Sequence, residues 1–157
     1  MEAAAKRFFS SQYFAVVGAS QDKSKFGYRI LGWYHVHSLP VTPINPSRLS
    51  ISLPSKTYIT VPTVSALPHP SQTALSFLTP PAVTRKVLEE AKTAGVKAVW
   101  LQPGSFEDED LTYAKQNFES AVGGFEDGTV GGEGWCVLVD GENMLRAAGK
   151  KIERQKL

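Results

Sequence analysis

The stretch that most constrains this chain is Tyr13-Phe14-Ala15-Val16-Val17-Gly18-Ala19-Ser20. Its run of aromatic, Ala and Val residues suits a strand covered on both faces, as in the middle of a parallel sheet. Gly18 has no Cβ, so the backbone there can turn sharply and approach a ligand closely. Ser20 and the amides after it stand near the start of the next helical pattern. Unpaired N–H groups and the helix dipole favour an anion at such a place. The stretch reads as the phosphate-binding first βα turn of a Rossmann-like domain.

The rest of the chain continues that alternation. Phe26, Ile30, Leu31, Tyr34 and Val36 give residues 26–38 a helical spacing, closed by Pro40. Val41-Thr42-Pro43-Ile44-Asn45 is the expected second strand, with Asn45-Pro46-Ser47-Arg48 as the loop at its carboxyl end. Residues 49–70 are irregular and proline-punctuated, with an extended piece at Tyr58-Ile59-Thr60-Val61 and one helical turn pinned between Pro62 and Pro68. A third strand over 73–78 runs into Thr79-Pro80-Pro81, and the helix over 82–94 stops at Gly95. Lys97-Ala98-Val99-Trp100-Leu101 is the fourth strand, followed by Gln102-Pro103-Gly104.

Ser105 and Asp108 match a capping box for a helix with Leu111, Ala114, Phe118 and Val122 on its buried face. Residues 123–134 hold Gly123, Gly124, Gly128, Gly131, Gly132 and Gly134, and read as a flexible loop. Trp135-Cys136-Val137-Leu138-Val139 is the expected fifth strand, and residues 142–157 a basic, frayed terminal helix. A short N-terminal helix packs Phe8 and Phe9 under the sheet.

Such alternation predicts a single α/β domain over residues 1–157, with a mainly parallel five-stranded sheet and helices on both faces. Ligands in that architecture sit at the carboxyl ends of the strands where the order reverses. The loops facing that crevice are residues 18–25, 45–48, 79–81 and 102–105. A formal net charge of +2 is too small to argue for nucleic acid. The single cysteine excludes an internal disulfide and a cysteine-based zinc site, and fits a reducing compartment. No apolar run approaches the ~18 residues of a membrane helix, and residues 1–7 lack the apolar core of a secretory signal. A cytoplasmic protein with a small-molecule ligand is expected, without a membrane or nucleic-acid partner; a homo-oligomer stays open.

The dinucleotide fingerprint is incomplete. Ser20 and Lys23 stand where the second and third glycines of G-x-G-x-x-G belong, and the second strand ends in Asn45, not an acid. Arg48 follows, a cation that suits a phosphate on the ribose, as in NADP and coenzyme A. That pattern disfavours NAD. No catalytic or metal-binding residue is assigned. His35 and His37 face different sides of a helix, and His69 lies between prolines. The acidic run at Glu107-Asp108-Glu109-Asp110 suits a first helical turn, and Cys136 a small buried hydrophobe.

Val16-Val17-Gly18-Ala19-Ser20, Ser24-Lys25-Phe26-Gly27-Tyr28-Arg29, Pro43-Ile44-Asn45-Pro46, Thr79-Pro80-Pro81 and Ala98-Val99-Trp100-Leu101-Gln102-Pro103-Gly104 together resemble the stand-alone CoA-binding domain family. That family is similar to the N-terminal CoA-binding domain of the succinyl-CoA ligase alpha subunit. The likeness spans residues 12–122 in order and spacing. It implies that Gly18, Ala19 and Ser20 bring amides to the CoA pyrophosphate, with Lys25 as a nearby cation. Arg48, after Asn45 and Pro46, would meet the 3′-phosphate or adenosine end. Leu78, Thr79 and Pro80 would line the adenine and pantetheine path, and Gln102 to Gly104 the thiol arm. The family's cysteine, in an Asp-Arg-Cys setting after the last strand, is replaced by Asp140-Gly141-Glu142 on this strand assignment, with Cys136 inside the strand.

The expectation is non-catalytic, nucleotide-type binding of coenzyme A or an acyl-CoA. Two alternatives stay open: an NADP-binding module or reductase, and an interaction protein that has lost its nucleotide.

Overall fold

In the computed structural model, which describes residues 1–157, helix α1 (Glu2–Phe9) leads into strand β1 (Tyr13–Val17), helix α2 (Phe26–Val36) and strand β2 (Val41–Ile44). A hairpin of β3 (Ser50–Ser52) and β4 (Thr57–Ile59) follows, then two 3₁₀ turns, Val64–Ala66 and Pro70–Gln72. Strand β5 (Thr73–Phe77), helix α3 (Pro81–Ala94), β6 (Ala98–Leu101), α4 (Asp108–Asn117), β7 (Ser120–Val122) and α5 (Val137–Ala147) complete the chain. The five long-range strands form one parallel sheet in the order β2-β1-β5-β6-β7.

That order fixes where the chain reverses. From β1 it moves outward to β2, then returns to place β5 on the other side of β1. The crevice therefore opens above the carboxyl ends of β1 and β5, at Gly18 and Leu78. Both strands are buried almost throughout, as their near-continuous apolar sequences require. Pro43 is tolerated because β2 is an edge strand. Val61 then covers part of that edge, donating its amide to Pro43 O and accepting from Asn45 N.

Helices cover both faces. One apolar cluster joins Phe8, Phe9 and Phe14 to Ile30, Leu31, Tyr34, Trp100, Trp135 and Leu145, and so packs α1, α2 and α5 on the sheet. The other joins Leu75, Phe77, Leu88, Val99, Leu101 and Ala114 under α3 and α4. Gly95, at φ +90, ends α3 in the left-handed conformation expected of it.

Three expectations are corrected at the C-terminal end. The fifth strand is Ser120-Ala121-Val122, not residues 135–139, and Val122 pairs in the sheet with Trp100. Residues 137–139 instead open α5, with Cys136 as its N-cap residue, so Cys136 follows the last strand. The terminal helix ends at Ala147, and the basic segment 148–157 is not helical. It docks as an extended strap: Gln155 N donates to Val36 O, and Ser55 N to Leu157 O.

Two local expectations also shift. The capping box of α4 is made by Glu107 and Asp110, while the buried Ser105 hydroxyl donates to Gln102 O at 2.7 Å. Residues 123–134 carry no regular element, yet they are pinned in place. Buried Asp140 accepts from the Thr129 hydroxyl at 2.8 Å, Val130 N at 2.9 Å and Cys136 N at 3.1 Å. Trp135 Nε1 adds a bond to Glu126 O. No helix is long and apolar enough to cross a membrane.

Candidate functional site

The turn after β1 is shaped by two glycines. Gly18 has φ +87, and a Cβ there would lie 3.1 Å from Leu78 C and Thr79 N. Gly27, in the first turn of α2, is tighter still: a Cβ would lie 2.1 Å from Gly18 O. Helix α2 therefore rests its backbone directly on the turn. Between the two glycines the loop is braced locally. Ser20 Oγ accepts from Asp22 N, and Asp22 accepts from the amide and hydroxyl of Ser24, which hold its carboxyl below the usual range.

This bracing leaves donors free. The amides of Ala19 and Ser20 have no acceptor in the chain, although Ala19 is only 2% exposed. A buried backbone N–H without a partner is rare and calls for a ligand or water to accept from it. Lys25, the N-cap residue of α2, has no carboxylate within salt-bridge distance.

The structure brings most of the expected residues together. Gly18, Ala19, Ser20, Lys25, Asn45, Leu78, Thr79, Pro80 and Gly104 line a polar cleft of about 550 Å³. Asn45 also fixes the cleft wall: its Nδ2 donates to Ala19 O at 2.9 Å, and its Oδ1 accepts from Ser47 N and Arg48 N. Pro46 and Arg48 lie outside that lining, on the exposed loop beyond β2. Arg48 Nε donates to Ser50 O, leaving its two terminal nitrogens without protein partners.

A second chamber of about 710 Å³ adjoins the cleft, sharing Leu78 and Gly104 with it. Its walls come from the first turns of α2 and α5 and from the end of β6, closed by Gly131 to Gly134. Gln102 lines it and is already committed: Oε1 accepts from Val137 N at 3.0 Å, and Nε2 leans on Ser76 Oγ at 3.4 Å. Ser76 in turn bonds the Tyr34 hydroxyl at 2.7 Å, and burial raises that phenol's pKa strongly. This polar chain ties α2 to α5 through β5 and β6.

Cys136 lines the same chamber, which its expected place in a strand had concealed. Burial pushes its thiol pKa up. The other singled-out residues serve the framework. His35 bonds Tyr58, Ser55 and Lys156 O, and His37 bonds Trp33 O and Glu142. Trp100 is fully buried.

The family follows from comparison with known proteins. A family model for the CoA binding domain matches residues 12–125, from the start of β1 past the end of β7. The chain belongs to the CoA-binding domain family.

The chain is also similar to solved structures of the same fold. A conserved hypothetical protein of Pyrococcus furiosus is 29% identical with a TM-score of 0.62, over 70% of this chain and 91% of that one. A hypothetical protein of Pyrococcus horikoshii OT3 is 20% identical with a TM-score of 0.67, over 78% and 83%, and shows the fold alone. The dinucleotide-forming acetyl-coenzyme A synthetase 1 of Ca. Korarchaeum cryptofilum is 27% identical with a TM-score of 0.61. There the match covers 75% of this chain but only 27% of the synthetase. No curated protein matches the chain.

Proposed function

We propose that this protein binds coenzyme A, or an acyl-CoA, through the turn after β1, and that it acts by binding without catalysing a reaction. The observation that carries this is the pair of unaccepted amides at Ala19 and Ser20, beside Lys25 and within one cleft. Two donors and a cation, fixed in advance by Gly18, Gly27 and Asn45, are what a pyrophosphate needs. The ligand then runs past Thr79 and Pro80 to the end of β6, with its adenosine end towards Arg48. Lys25 is the ionisable side chain lining the phosphate cleft, which supports positioning of a charge over proton transfer. Membership of the CoA-binding domain family favours CoA over NADP, and Asn45 gives no carboxylate for the free ribose diol of NAD.

Titration calorimetry of the full chain with CoA, NADP and NAD tests this. CoA should bind with a stoichiometry of one and NAD should not bind. Gly18→Val should lose CoA, because a β-branched residue is strained at φ +87 and its Cβ meets the end of β5. Undiminished CoA binding by a folded Gly18→Val protein would place the pyrophosphate elsewhere. Tighter binding of NADP than of CoA would turn the assignment to the dinucleotide.

A further inference from the structure

The chamber beside the phosphate cleft differs from it in chemistry. Phe26, Ile30, Leu78, Leu138 and Val139 supply apolar wall, Cys136 a thiol that burial keeps protonated, and the exposed Arg29 and Glu133 its two charged lining residues. Of the large apolar side chains this protein exposes, Phe26 at 52% and Val139 at 47% line this chamber. Phe125 at 75% and Val130 at 72% stand on the glycine-containing loop that closes it. Exposed apolar groups gathered around one cavity mark a place where something apolar docks. A ligand pocket of this size is ordinary for a small molecule, and the wall is mostly apolar as such pockets are.

We infer that the chamber receives the acyl chain of a fatty acyl-CoA, so that the thioester is the preferred ligand over free CoA. This rests on the CoA reading above. Leu78 and Gly104 belong to both compartments, so a ligand with a phosphate head in one enters the other directly at its far end. The end of CoA that lies past β6 is its thiol, and what the thiol carries is the acyl group. A saturated chain matches apolar walls, whereas the amides of the pantetheine arm need polar partners and stay in the polar cleft. The protonated Cys136 thiol is a poor nucleophile, so a thioester seated beside it stays intact.

The two compartments predict separate readouts. Calorimetry of the full chain with CoA, acetyl-CoA and octanoyl-CoA should give rising affinity, since each buried methylene is worth about fourfold. With part of the chain buried, octanoyl-CoA should bind at least about tenfold more tightly than CoA. Val139→Glu places a carboxylate on a half-exposed stretch of wall. It should bring octanoyl-CoA to within about threefold of CoA in the same variant, and Phe26→Glu, on the opposite wall, should do likewise. If CoA binds the parent but octanoyl-CoA binds no better, the acyl chamber is wrong and the CoA assignment stands. An octanoyl-CoA preference that survives both substitutions puts the chain elsewhere and also overturns it. Failure of both ligands to bind the parent removes the CoA assignment and this inference together.

Discussion

Gly27 and Gly18 do different work on one turn. Gly18 supplies the positive φ, while Gly27 lets a helix backbone touch the Gly18 carbonyl. In the dinucleotide fingerprint the third glycine has this packing role, but here it lies nine residues after the first, not five. Arg48 belongs to the same scale. Its free terminal nitrogens suit a 3′-phosphate, so Arg48→Ala should weaken CoA about tenfold or more while leaving dephospho-CoA nearly unchanged. Competition between the two ligands on the variant measures it, and equal weakening would give Arg48 another task. Gly18, Asn45 and Thr79 were legible in the sequence because a turn, a strand end and a proline pair each leave a local mark. Gly27 was not, since nothing local says which backbone a helical glycine will meet. Cys136 was misplaced for the same kind of reason, as its partner Asp140 acts through a helix the sequence did not reveal.

Helix α5 and strand β7 depart from what the sequence suggests at the scale of elements, and both departures have a physical cause. Five apolar residues in a row at 135–139 fit a buried strand and a buried helix start equally well. Ser120-Ala121-Val122 is too short to announce itself, and it follows α4 closely enough to look like its last turn. What settles the matter is Asp140, which caps α5 from within and holds the loop before it. Asp140→Ala should strand three donors and cost about 2–3 kcal/mol in urea unfolding, with water repaying part at the exposed ones. A change below about 0.5 kcal/mol, the range of ordinary surface substitutions, would mean the loop is held by other contacts.

The strap 148–157 has its own pH dependence. Arg154, then His37, bond the Glu142 carboxylate and push its pKa down to about 2 from 4.5. A carboxyl lowered on folding stabilises fully above its unfolded value and loses that contribution as pH falls through its folded one. Docking of the strap should therefore weaken between pH 4.5 and 2. Hydrogen exchange at Gln155, whose amide bonds Val36 O, reports it. Glu142→Gln should lower the protection factor there at neutral pH and leave it constant across that window; a protection factor that still falls with pH would assign the effect to another group.

At the scale of the whole molecule, the ligand and the fold stabilise the same thing. The cleft draws its walls from the segments that follow β1, β2, β5 and β6 and from the N-cap residue of α2, and these meet only when the sheet order β2-β1-β5-β6 has formed. The repeated alternation of strand and helix made that architecture readable from the sequence, since a parallel sheet needs crossovers and most of them here leave periodic helices. The position of the crevice was equally readable. Its division into a polar cleft and a more apolar chamber was not, because the chamber's walls come from α2 and α5, far apart in the chain. A ligand that bridges such a junction binds the native state alone, so it raises stability by mass action. At a hundred times its Kd, CoA should add about 2.7 kcal/mol. For a chain of this length that corresponds to a Tm rise of about 5–10 °C. NAD at the same concentration should leave Tm where it was. A scan in which CoA gives no rise, or NAD gives as much, would show that the junction is not where the nucleotide binds. In Gly18→Val the rise should vanish while the variant still melts cooperatively, which separates loss of the site from loss of the fold.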